Sequence, residues 1–162
     1  VAKRKNKVLS KPRRLRRNGA ATRAPKQDRD PSGESEDLYR AFITQTAVGI
    51  ARSDLKGRFV FVNQKFADIL GYKRSELIGK RIRDLTHRDH LTQTQKLFRR
   101  LMDTGAPYYL EKRYICKNGS AIWLNVSASP VLNTKGKVQA VIAVIRDISE
   151  RKQAQLDLEN AK

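Results

Sequence analysis

The chain has 162 residues, 39% of them hydrophobic, and a formal net charge of +19 at pH 7. That length holds one ordinary domain plus tails, and a body of about 120 residues buries roughly two-thirds of its unfolded surface without staples. The lone cysteine, Cys116, excludes an intramolecular disulfide and any metal site built from cysteines alone, and it fits a reducing compartment. No run approaches a membrane span and no signal-peptide core follows the basic start. The expected place is therefore the cytoplasm, for a free protein or for the cytoplasmic part of a membrane-anchored one.

Residues 1–34 are rich in Lys, Arg, Pro, Asn, Ser and Gly, and residues 1–29 set many cations against Asp28 alone. Such a segment buries too little apolar surface to offset its ordering entropy, so it reads as a disordered basic arm. A body over residues 35–148 and the start of an output helix over 149–162 follow. Ser35 or Asp37 is placed to cap a helix in which Leu38, Phe42 and Ile43 share a face, running to Val48.

A short strand at Ile50 and a β-branched and aromatic run from Phe59 to Asn63 flank a turn at Gly57, which reads as a hairpin. Phe66, Ile69 and Leu70 have helical spacing, closed by Gly71, and a second short helix with Leu77 and Ile78 stops at Gly79. Residues 81–87 read as an irregular turn. The longest helix of the body follows, with an apolar stripe of Leu91, Leu97, Phe98, Leu101 and Met102 and a stop at Gly105.

Three strands come next. Lys117-Asn118-Gly119-Ser120 is an Asn-Gly hairpin turn between the first two. Ile122, Leu124 and Val126 alternate with Trp123, Asn125 and Ser127 along the second. The last strand, around Val141 to Ile145, is so evenly apolar that both its faces are expected to be covered. The tail from Glu150 is built of helix formers and carries a narrow seam, Ala154, Leu158 and Ala161, too short to hold a helix alone. Strands in two blocks with helices gathered between them make an α+β arrangement.

Three stretches carry a resemblance: KGRFVFVNQKFADILGYKRSELIGK, EKRYICKNGSAIWLNVSASPV and VIAVIRDISERKQAQ. Asn63 and Phe66 at their spacing, Gly71-Tyr72 ahead of Glu76-Leu77-Ile78-Gly79, and Asp147-Ile148 before Glu150-Arg151-Lys152 complete it. In these words and this order, residues 38–155 resemble the PAS domain family. The resemblance implies a five-stranded antiparallel sheet in the order 2-1-5-4-3, flanked by short helices, with a C-terminal signalling helix. It also implies a module that senses a cue between sheet and helices or serves dimerisation. Its usual hosts are bacterial sensor kinases, cyclic-di-GMP enzymes and transcription regulators.

The same resemblance tests two cofactors. Flavin photochemistry of the light-oxygen-voltage subclass needs a cysteine after Gly79 and a flavin-contacting glutamine in the last strand. Residues 79–87 hold no cysteine, and Ile145 stands at the glutamine position, where an aliphatic side chain forms no hydrogen bond. Haem ligation has only His87 and His90 to draw on, while the relatives' ligand position falls near Thr94 and Gln95. Both cofactors are argued against, and His87 reads as a solvated turn residue. Cys116 reads as a packing residue.

No catalytic motif appears, neither a phosphate loop nor a nucleophile elbow nor a zinc-protease signature. A pocket between sheet and helices would be lined by Phe66, Ile69, Leu91, Leu101, Ile122, Leu124, Val126, Val141, Ala143 and Ile145, and would suit a small, mostly apolar ligand. A filled core is the competing reading, and the scarcity of polar anchors tips the balance toward it. Relay is expected through Asp147 and Ile148 into the seam of Ala154, Leu158 and Ala161. Partners are expected to be a second copy, through the body and the C-terminal helix, and an output domain or kinase. The cations of residues 3–17 would also suit nonspecific contact with nucleic acid or anionic lipid, or solubility alone.

Overall fold

Side-chain alternation and turn chemistry decide the sheet. In the computed structural model, which describes residues 31–162, five antiparallel strands lie in the order β2-β1-β5-β4-β3. This is the order the resemblance implies. The strands are β1 (Gly49–Ser53), β2 (Phe59–Val62), β3 (Tyr108–Ile115), β4 (Ala121–Leu132) and β5 (Val138–Asp147). The β3–β4 hairpin turns at Gly119, whose φ of 86° is a conformation that favours glycine.

The helices are α1 (Pro31–Gln45), α2 (Gln64–Leu70), α3 (Arg74–Leu77), α4 (Ile82–Leu85), α5 (Arg88–Thr104) and α6 (Ser149–Asn160). Helices α2 to α5 join the two blocks of strands. One face of the sheet packs under them, so that Ala51, Leu124, Val126 and Ile145 meet Phe66, Leu70, Leu77 and Leu85 in one core. Leu101 of α5 closes a second cluster on Ala128 and Val141. Phe66 is the hub. Its ring lies 5.5 Å from Phe59 and 6.1 Å from Tyr114, and a Cβ at Gly49 would come within 3.1 Å of it.

Asn63 fastens the entry to α2. Its Oδ1 accepts from the N–H groups of Ile50 (2.9 Å) and Phe66 (3.0 Å), and its Nδ2 donates to the carbonyls of Val48 (3.0 Å) and Ile43 (3.3 Å). One buried amide thereby ties α1, β1 and α2 together, with all its hydrogen-bonding capacity in use.

Several expectations change. The first helix begins at Pro31, a residue preorganised for a first turn, so Ser35 and Asp37 lie inside it, and it ends at Gln45, short of Val48. Residues 81–87, read as an irregular turn, contain the single turn α4, too short to show helical periodicity. The last strand is covered mainly on one face, that of Val141 and Ile145, because Val144 lies 37% exposed on the other. The basic arm, including residues 3–17, lies outside the described residues apart from its last part, which α1 takes up.

Candidate functional site

Two places combine polar chemistry with coupling between elements: an internal cavity under the sheet, and the junction where α6 leaves it.

The cavity forms where small residues of β1, β4 and β5 leave space beneath α4. Ala51 and Ser53, Phe59, Ile82, Tyr108 and Tyr114, Lys112, Val126 and Ala128, and Val141, Ala143 and Ile145 line it. Its volume of about 10 Å³ is room for one water-sized occupant. Lys112 is 1% exposed because β3 alternates, so that it points inward with Leu110 and Tyr114. Its Nζ donates to Thr86 Oγ1 (3.2 Å) and Thr94 Oγ1 (3.3 Å) and lies 4.6 Å from the centre of the Tyr114 ring.

Thr86 is set there by local structure. Its hydroxyl donates to the carbonyl of Ile82 (2.8 Å), and its backbone bridges to Tyr114 on the edge strand. Burial pushes the Lys112 ammonium down to about 7 and the Tyr108 hydroxyl up to about 12. Tyr114 is raised too, by burial and then by Tyr108. Ser53 Oγ is buried with no hydrogen-bond partner among the described residues. A larger open cleft of about 360 Å³ shares Ile82 as a wall and carries Arg81, Arg83 and Arg99 above Phe98 and Met102.

The expected pocket residues divide. Val126, Val141, Ala143 and Ile145 line the cavity. Phe66 and Leu124 are fully buried in the core, and Leu101 sits in the second cluster. Ile69 and Ile122 are half-buried and border a surface depression beside Cys116, and Leu91 is half-buried on α5. Polar anchors prove not to be scarce, since Lys112, Ser53 and both tyrosines stand in the wall. Lys112 had a signal in the sequence: it keeps phase with Leu110 and Tyr114.

At the junction, Asp147 Oδ1 accepts from Ser149 N (2.9 Å) and Ile148 N donates to the carbonyl of Trp123 (3.0 Å), which starts α6 against β4. Lys152 Nζ then lies 2.9 Å from Glu111 Oε2 and 4.6 Å from the centre of the Trp123 ring, and Arg151 pairs with the same carboxylate. Arg151 and Lys152 together hold the Glu111 carboxyl below the usual carboxylate range. Arg113 approaches Trp123 from β3, at 5.4 Å, and pairs with Asp89 of α5 at 2.6 Å. The seam residues Ala154 and Leu158 are exposed, and Ala161 caps the helix end.

His87 caps α5, its Nδ1 accepting from Asp89 N (3.1 Å). The His90 ring stands edge-on to Trp123 at 5.2 Å, and burial followed by the charge of Arg113 lowers its pKa. Neither histidine lines the cavity. Cys116 is half-buried, with its Sγ 3.8 Å from the carbonyl of Ile69. No helix among the described residues is long and apolar enough to cross a membrane.

The PAS domain profile matches residues 46–150, and the chain belongs to the PAS domain family. Among curated proteins it is 38% identical over 122 residues to the sensor histidine kinase TmoS of Ectopseudomonas mendocina, covering 75% of this chain and 12% of that protein. It is 32% identical over 132 residues to the probable diguanylate cyclase DgcE of Escherichia coli K12, covering 79% of this chain and 12% of that one. The chain therefore spans 12% of the length of each of these two relatives. A solved structure of an RNA-binding light-oxygen-voltage receptor superposes with a TM-score of 0.71 at 23% identity, over 86% of this chain and 40% of that one. The domain is a sensory module of signalling proteins.

Proposed function

We propose that the chain is the signal-input and dimerisation module of a longer signalling protein, and that it passes a change in the body to an output domain through α6. Sensor histidine kinases and cyclic-di-GMP enzymes are the outputs that the relatives favour, and any catalysis belongs to that output. One observation carries the reading. The first turn of α6 is anchored on the sheet through Glu111, Trp123 and Asp147, yet α6 has no buried residue of its own. A helix of 12 residues with so little packing is marginal alone, so a second copy is a natural cover for the seam of Ala154 and Leu158.

Sedimentation of the full chain against one ending at Ile148 tests this. Weaker self-association without residues 149–162 is the expected result, and equal association would overturn it. A transcription regulator, or a protein held on nucleic acid or membrane by residues 3–17, is the alternative. Salt-sensitive retention on DNA or on anionic vesicles, lost when residues 1–30 are removed, would favour it.

A further inference from the structure

The open cleft of about 360 Å³ is walled by the β1–β2 turn, α4 and α5, and it shares only Ile82 with the internal cavity. The turn is pinned there. Ile82 N donates to the carbonyl of Gly57 (2.9 Å), and Arg58 and Arg81 form a backbone bridge. The Gly57 backbone comes so near that an added Cβ would lie 3.8 Å from Ile82 Cδ1 and 3.8 Å from the tip of the Phe98 ring. Those two side chains therefore face the turn and make the floor. Gln95, Phe98, Arg99 and Met102 follow at i, i+3, i+4 and i+7 on α5, so they share the face that Phe98 presents to the cleft.

The rim is cationic. Lys56, Arg81, Arg83 and Arg99 border the cleft, and no carboxylate does. The acids beside them in sequence are taken up by the backbone: Asp54 Oδ1 accepts from Lys56 N and Arg58 N, and Asp84 Oδ2 accepts from Arg81 N. Among the described residues, Lys56, Arg81 and Arg99 pair with no carboxylate, and Arg83 reaches only Asp84, at 3.9 Å. Four like charges around one opening repel one another, and an anion among them relieves that repulsion.

We propose that this cleft binds a small aryl or alkyl carboxylate, with the carboxylate among the guanidinium groups and the apolar body on Ile82, Phe98 and Met102. Volume sets the size, since clefts of roughly 300–1,000 Å³ hold small molecules. Charge sets the head, because the guanidinium fork matches a carboxylate with two parallel hydrogen bonds. The arginines at the rim are exposed or half-exposed, and their long stems carry the charge to the head wherever the body settles. The floor sets the body. Its polar side chains are the Gln95 amide and the Thr94 hydroxyl, which already accepts from Lys112, so a sugar would leave polar atoms unmatched. The occupant joins the β1–β2 turn to α4 and α5. Its meaning as a cue rests on the reading of the body as an input module; the binding itself does not.

The test follows the amide resonances of the isotopically labelled full chain through titrations with 2-naphthoate, neutral 2-naphthalenemethanol and acetate, at fixed pH and equal ionic strength. The expected result is saturable shifts at Gly57, Ile82 and Phe98 with 2-naphthoate. Binding should be about tenfold weaker or more for the alcohol, which lacks the charge, and for acetate, which lacks the body. Arg81→Gln and Arg99→Gln should each weaken 2-naphthoate binding several-fold. Arg146→Gln, exposed on β5 and outside the cleft, should bind it as the native chain does. No saturable shift at these three residues would overturn the proposal, as would equal binding of the alcohol or of acetate, or unchanged binding in both cleft variants. Any of these failures leaves the α6 relay to be judged by its own distance measurement.

Discussion

Lys152 stands with its Nζ 4.6 Å from the centre of the Trp123 ring, so a cation in the first turn of α6 rests on the outer face of β4 while it also reaches Glu111 on β3. Two strands and the exit helix meet in this contact. Anything that shifts β3 against β4 changes what α6 is anchored to.

Glu111→Gln removes the carboxylate that Arg151 and Lys152 share. Exposed ionic and cation–π contacts of this kind contribute little to global stability, so the melting temperature should move little. Amide exchange in α6 should speed up several-fold while exchange in β4 stays the same. In the native chain, acid should do the same. The folded carboxyl is held below its ordinary value, so its contribution is present above that value and is lost as pH falls through the folded one. Exchange of α6 amides against pH, in native chain and variant, checks both.

Asn63→Ala should cost about 2–4 kcal/mol, because it removes the cap of α2 and strands the buried N–H of Ile50. Asn63→Asp keeps the acceptor but loses the donation to Val48 and Ile43 and sets a charge against their carbonyls. Faster exchange around Ile43 is expected in both variants, since the same amide holds the end of α1. Urea unfolding and amide exchange measure the two effects.

The close approach at Gly49 gives a steric prediction. Gly49→Ala puts a Cβ 3.1 Å from the Phe66 Cβ and 3.2 Å from its backbone, where neither side yields cheaply. The expected loss is about 1–3 kcal/mol. Phe66→Ala should cost about 3–5 kcal/mol, since the ring is fully buried between Phe59 and Tyr114. Denaturant midpoints report both.

Lys112 predicts a pH slope of stability. Its folded pKa lies near 7, against 10.5 for the ordinary amine, so between those values the unfolded chain binds a proton that the folded chain does not. Stability therefore rises with pH across that window and is flat with respect to this group below it. Lys112→Met should remove the slope and leave the protein as stable or about 1–2 kcal/mol more stable at pH 6. Thermal melts from pH 6 to pH 9 would show it.

Much of the fold was legible because its signals are local. The Asn118-Gly119 turn, the alternation from Ile122 to Ser127 and the stop of α5 at Gly105 each follow from a few neighbouring residues. The order of the strands came from the resemblance, since nothing in spacing alone sets β5 beside β1. The site was less legible. Alternation placed Val126, Val141, Ala143 and Ile145 on the inner face, but lysine reads as a solvent residue, so Lys112 was passed over despite its phase. Ile82 was hidden in a helix of one turn. The Glu111–Arg151 contact joins residues 40 apart in sequence, and no local pattern announces such a pair.

The central claim is that the anchoring of α6 on the sheet sets its geometry in a dimer. It is tested most directly by the distance between spin labels at Gln155→Cys, in a Cys116→Ser background, with and without Trp123→Leu. The account predicts one narrow distance between the two copies in the parent, and a shifted or broadened distribution once the Trp123 ring is gone. The same distribution in both proteins, or no distance between copies in either, would contradict it.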